Sequence, residues 1–98
     1  MIAQELIALI LHELKENPEV TQRTLAQKFQ ISVGKVNFLM KELSKKGYIK
    51  IQKFISSDNK LKYRYILTPE GMKEKIRITR EFILKKMKEY EKLIEDLP

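Results

Sequence analysis

The sequence predicts a mainly α-helical domain with one small β-hairpin and a long final helix, and three observations carry this expectation. Apolar residues recur at helical spacing through three short segments before Gly47. The pattern then changes to a period of two in YIKIQKFI and LKYRYIL, which flank the turn-forming cluster SSDNK. Finally, a helical repeat opens at Thr68 and runs without a breaker toward Leu97.

Taken in order, the first segment covers residues 2–16. It places Ile2, Ala3, Leu6, Ile7, Leu9, Ile10, Leu11 and Leu14 on an arc of roughly 200°. So broad an apolar face is expected to be covered from two sides, by its own domain and by a partner. Asn17 and Pro18 end this helix, because proline disfavours helical geometry at the residue before it. Thr21 is suited to cap the second helix, TQRTLAQKF, in which Leu25, Ala26 and Phe29 face inward. Ser32 caps a third, in which Val36, Leu39, Met40 and Leu43 follow the repeat and Gly47 supplies a left-handed stop.

Two short helices meeting at a tight connection form a helix-turn-helix, and the second leaves Gly34, Lys35, Asn37, Phe38, Lys41 and Lys45 facing outward. Asn37 is suited to pair with adenine, Lys35 and Lys41 to reach guanine edges or phosphates, and Gly34 to let the helix start approach a backbone. Phe38 either meets a thymine methyl or tucks back against the protein. The hairpin that follows is a wing. Lys62 and Arg64 share one face of its second strand, whereas Leu61, Tyr63, Tyr65 and Leu67 share the other and are expected to pack inward. Ser56, Ser57, Asn59 and Lys60 at the tip suit phosphate or minor-groove contact, while Asp58 orients the loop.

Charge agrees with this placement. The net +7 is concentrated in residues 32–66, which hold nine basic and two acidic side chains, and the flanking segments are nearly neutral. Thr21, Gln22 and Arg23 at the start of the second helix and Ser32 at the start of the third complete the expected DNA-binding set. Catalysis is disfavoured by an inventory of one histidine, no cysteine, no glycine-rich phosphate loop and no cluster of acids suited to a metal. No cofactor or metal is expected, and His12 falls on the polar side of the first helix. The apolar start is too short to span a membrane and carries Glu5 and Glu13, which together with the absence of cysteine fits a cytoplasmic protein.

The last helix opens with Thr68 as cap, Pro69 in the first turn and Glu70 near the positive dipole end. Its stripe of Met72, Ile76, Thr79, Ile83, Met87, Tyr90, Ile94 and Leu97 is flanked by Ile78, Phe82 and Leu93, more than one seam requires. Self-association is the economical explanation, with Ile2, Leu6, Leu9, Ile76, Ile83, Met87, Tyr90 and Ile94 as the expected dimer interface. An antiparallel pairing with the first helix is compatible with it. A division follows, with residues 1–69 as the DNA-binding part and 70–98 as the dimerisation helix. An RNA-binding or protein-assembly module without specific DNA readout is the alternative.

NPEVTQRTLAQKFQIS, SVGKVNFLMKELSKKGYIK, SSDNKLKYRYILTPEG and EKIRITREFILKKMKEYEKL together cover most of the chain. In these segments the sequence resembles the MarR-type winged helix-turn-helix regulators, and more closely a short branch associated with exopolysaccharide gene clusters. The resemblance implies sequence-specific duplex DNA binding by a homodimer whose last helix supplies most of the contact, and a link to polysaccharide biosynthesis genes. It places Ser32, Gly34, Lys35, Asn37, Phe38 and Lys41 on a recognition helix and Asp58 to Lys60 on the wing. Typical members carry a further helix before the first one here, and often an arginine where this chain has Lys60. Lysine cannot make arginine's forked contact in a minor groove, so less selective wing readout is expected.

Overall fold

The computed structural model describes residues 3–98. Four helices and two strands follow in the order α1 (Ala3–Glu16), α2 (Gln22–Phe29), α3 (Val33–Lys45), β1 (Ile49–Ile55), β2 (Leu61–Leu67) and α4 (Pro69–Ile94). The architecture is a winged helix-turn-helix with a long C-terminal helix, as the periodicity predicts.

The element boundaries have local causes. α1 stops where Asn17 Oδ1 accepts from the Glu19 amide at 3.2 Å, an Asx turn that starts the connection to α2. Thr21 caps α2 by accepting from the Thr24 amide at 3.1 Å. α2 ends on Gln30, whose φ of 55° is left-handed, and the Ile31 amide closes the turn on the Ala26 carbonyl at 3.0 Å. Ser32 then caps α3 through the Lys35 amide at 3.0 Å, so only three residues separate the two helices. Gly47 takes the expected positive φ of 79° after α3.

The strands pair antiparallel in the register Ile49 with Leu67 through Ile55 with Leu61. Beyond the hairpin, Thr68 joins three elements. Its hydroxyl donates to the Gly47 carbonyl at 2.6 Å and accepts from the Gly71 amide at 3.0 Å, and its amide donates to the Tyr48 carbonyl at 3.1 Å.

One core fills the space between α1, α2, α3 and the hairpin root, built on Ile10, Leu11, Leu14, Leu25, Val36 and Met40 with Ile49, Tyr65 and Ile78 at its edges. α1 lies antiparallel against α4, with Gln4 Nε2 donating to Glu81 at 2.6 Å near one end and Leu14 close to Met72 near the other. Lys86 Nζ sits 2.8 Å from the buried Glu5 Oε2, off the hydrogen-bonding direction, so this contact is a charge pair. The core ends well before the helix does. From Ile83 onward every residue of α4 except Lys86 is exposed, and the molecule extends 61 Å along its longest axis.

Two expectations are corrected by this packing. Leu6 is 7% exposed inside the core of its own chain and has no surface to offer a partner. Ile2 lies outside the described residues. Tyr63, expected to pack inward with Tyr65, is 40% exposed, because the hairpin runs past the domain it roots in. Only Ile49, Tyr65 and Leu67 on that strand face reach the core, and Ile51, Ile55 and Leu61 overhang it with Tyr63.

Candidate nucleic-acid interface

α3 is held by its buried face, Val36, Met40 and Leu43, which fixes what the opposite face presents. Gly34, Lys35, Phe38 and Lys41 are all exposed, and Asn37 is half-buried. A β-carbon added to Gly34 would meet nothing closer than Ser32 Oγ at 3.9 Å, so the helix start is open to close approach. Phe38 is 60% exposed, which excludes a ring tucked back against the domain. Beside these, Val33 in the first turn is 49% exposed, an apolar side chain absent from the set that helical periodicity singled out. Its place immediately after the Ser32 cap, outside the 36–40–43 repeat, is the signal that marks it.

A groove runs between the start of α2, the middle of α3 and the hairpin. It brings together Thr21, Gln22, Asn37, Lys41, Ser57, Lys62 and Arg64 from the expected set. Arg23 on α2, the α3 cap Ser32, Gly34, Lys35 and Phe38 on the exposed face of α3, and Asn59 and Lys60 at the wing tip lie outside it. The wall on the hairpin side is apolar, with Ile51, Ile55, Leu61 and Tyr63.

Ion pairing divides the basic residues. Arg23, Lys35, Lys41 and Lys62 are exposed and have no acidic partner within 4.0 Å among the described residues, so no close ion pair competes for them. Arg64 differs. Its Nε and Nη2 lie 3.1 and 3.0 Å from Glu19 Oε1, and its guanidinium carbon lies 4.2 Å from the centre of the Phe54 ring. Arg64 therefore anchors the hairpin to the α1–α2 connection, with much of its charge offset by Glu19. Lys60 Nζ is 3.7 Å from Asp58 at the wing tip.

The tip itself is a closed turn. The Ser56 amide donates to the Lys60 carbonyl and the Asn59 amide to the Ser56 carbonyl, both at 2.9 Å, with Asn59 left-handed at φ 60°. Asp58 also bonds Ser56 Oγ, and this bond is the main cause that lowers its carboxyl below the ordinary aspartate value, helped by Lys62 and Lys60. Asp58 orients the loop, as expected, and keeps Ser57 and Asn59 exposed.

On α2, Thr21 spends its hydroxyl on the cap and on Thr24 Oγ1 at 2.9 Å, while Arg23 is exposed. Gln22 is bonded on both sides, its Nε2 reaching Tyr65 Oη at 3.2 Å and Asn37 Oδ1 at 3.3 Å. No group of metal-binding side chains occurs among the described residues, and no helix there is long and apolar enough to cross a membrane. His12 is exposed and lies 4.0 Å from Glu16, away from the groove.

With this geometry in view, the comparisons with known proteins agree on the architecture. Residues 5–50 match the family described as winged helix-turn-helix DNA-binding. The fold is a winged helix. Among solved structures, the chain is similar to TA0346 from Thermoplasma acidophilum, named as a transcriptional regulator, with a TM-score of 0.74 at 18% identity. That alignment covers 96% of this chain and 94% of the other. It is similar also to MepR of S. aureus, solved in complex with DNA, with a TM-score of 0.64 at 21% identity over 97% of this chain and 63% of MepR. CouR from Rhodococcus jostii RHA1, solved bound to p-coumaroyl-CoA, aligns over the full chain and 76% of its own length, with a TM-score of 0.57 at 15% identity. No curated protein matches the sequence.

Proposed function

We propose that this protein is a sequence-specific, double-stranded DNA-binding transcriptional regulator that acts in the cytoplasm as a homodimer. The observation that carries this reading is the exposed face of α3, where Lys35, Phe38 and Lys41 stand without partners beside a wing that adds Lys62. A positively charged helix of this kind fits a major groove, and lysines on flanking phosphates release counterions. MepR, which shares the fold, was solved in complex with DNA, and this supports a DNA-binding reading.

α3 serves as the recognition helix, with Asn37 and Lys35 toward base edges and Lys41 and Lys62 toward phosphates. Val33 and Phe38 are the apolar groups suited to thymine methyls. Residues 1–69 form the DNA-binding part and 70–98 the dimerisation helix. The exposed Ile76, Ile83, Met87, Tyr90 and Ile94 supply the dimer seam, with Leu9 of α1 as the remaining exposed member. Control of polysaccharide biosynthesis genes rests on the sequence resemblance alone.

The test is fluorescence anisotropy on duplex DNA from upstream of the protein's own gene, with a shuffled duplex and a matching RNA, across a salt series. The expected result is a preference for the native duplex of roughly a thousandfold that persists at physiological salt. Equal and steeply salt-dependent binding to both duplexes would leave only the basic face acting, and preference for RNA would replace the reading with an RNA-binding module.

A further inference from the structure

The side chain of Tyr65 belongs to the wing strand, yet its hydroxyl is connected to the recognition helix. Tyr65 is 5% exposed, and a buried phenol requires a hydrogen-bond partner. That partner is Gln22, whose Nε2 is 3.2 Å from Tyr65 Oη and 3.3 Å from Asn37 Oδ1. One amide nitrogen carries two hydrogens and here meets two acceptors, so the chain from β2 through α2 to α3 is complete. The strand end of this chain is fixed as well. The Tyr65 amide donates to the Pro18 carbonyl at 2.9 Å, and the adjacent Arg64 is held by Glu19 and Phe54.

We propose that Gln22 and Tyr65 are positioning residues that set the base preference of Asn37, and that Gln22 is not itself a base contact. An untethered asparagine amide on a groove wall presents either its oxygen or its nitrogen to a base edge, and so discriminates weakly. With Oδ1 accepting from Gln22, the amide is held in one sense and its Nδ2 hydrogens are the unengaged group. A purine N7 is the acceptor this donor fits, and the second lone pair of Oδ1 remains for the amino group of adenine. The root of the wing thereby contributes to specificity at a position it does not touch. This inference rests on the proposed DNA-binding function.

The experiment measures wild type, Asn37→Ala, Tyr65→Phe and Gln22→Met on a panel of duplexes carrying every single base-pair change in the preferred site, together with a random duplex and the thermal midpoint of each protein. Tyr65→Phe keeps the ring in the core and removes only the hydroxyl, and Gln22→Met keeps length without the amide. Both are expected to lower discrimination about tenfold at the position that Asn37→Ala also relaxes, and to retain discrimination at the other positions. A merely structural role would move the midpoint and all duplexes together. If Asn37→Ala relaxes that position while Tyr65→Phe and Gln22→Met keep wild-type discrimination, the positioning role is overturned and the functional reading stands. A wild-type protein that discriminates nowhere on the panel overturns both.

Discussion

A β-carbon on Gly71 would sit 1.9 Å from the carbonyl oxygen of Tyr48. The same carbonyl accepts from the Thr68 amide, so the start of α4 is pressed closely onto the backbone at the root of the hairpin. The residues of LTPEG thus divide the work of this junction. Leu67 packs on the core, Thr68 caps, Pro69 starts the helix and Gly71 permits the approach.

Gly71→Ala is therefore expected to destabilise the fold by about 3 kcal/mol, because the clash is with backbone that cannot rotate away. Thermal unfolding is the check, with the midpoint lowered by on the order of 10 °C or more. Gly34→Ala is the control. Its β-carbon makes only an ordinary contact with Ser32 Oγ at 3.9 Å, and alanine favours a helix, so stability should hold or rise slightly.

Glu19 is an acid in a groove that is otherwise basic, and it offsets Arg64. Glu19→Gln is expected to strengthen binding to any duplex and to steepen the salt dependence by about one unit of slope, since Arg64 becomes free to meet a phosphate. Arg64→Ala should loosen the wing instead, costing about 1 kcal/mol through the lost stacking on Phe54. Salt titrations of the two variants distinguish a contact that is held in reserve from one that is purely structural.

Ile83 is 45% exposed in the single chain, so Ile83→Glu should leave folding of the chain intact. In a dimer seam the same carboxylate would be buried without a partner. Light scattering is expected to show the mass fall from dimer to monomer, and operator affinity to fall with it. An unchanged mass would place the interface elsewhere.

Acid should weaken the first turns of α4. Arg77 bonds Glu74, chiefly lowering the Glu74 carboxyl from its ordinary value, and Tyr48 adds to the effect. A depressed folded-state pKa contributes stability that is fully present above the unfolded value, near 4.3, and is lost as pH falls through the folded value. The stability difference between wild type and Glu74→Gln should therefore be constant near neutrality and shrink below about pH 4. Denaturant titrations at several pH values give that difference directly.

The sequence revealed the elements well because each carried its own local signal. Thr21, Ser32 and Thr68 all cap the helices they precede, and alternation located both strands. What it could not reveal was where the core stops. Helical periodicity put Leu6 and Ile83 in the same class of apolar residue, yet one is covered by its own chain and the other is not. Alternation likewise grouped Tyr63 with Tyr65, although only the root of the hairpin has a domain beneath it. Pairing across distant segments was equally invisible. Nothing near Arg64 or Gln22 in sequence indicates that Glu19 holds the first, or that Tyr65 and Asn37 share the second.

The exposed end of α4 has a further consequence for hydrogen exchange. Its last turns make almost no contact with the rest of the chain, and a helical stretch of about a dozen residues is marginal in water by itself. The amides after Met87 should then exchange rapidly whenever the apolar side is uncovered and slow sharply when it is occupied. For the proposed dimer, protection at this tip would gauge how much of the protein is assembled at a given concentration.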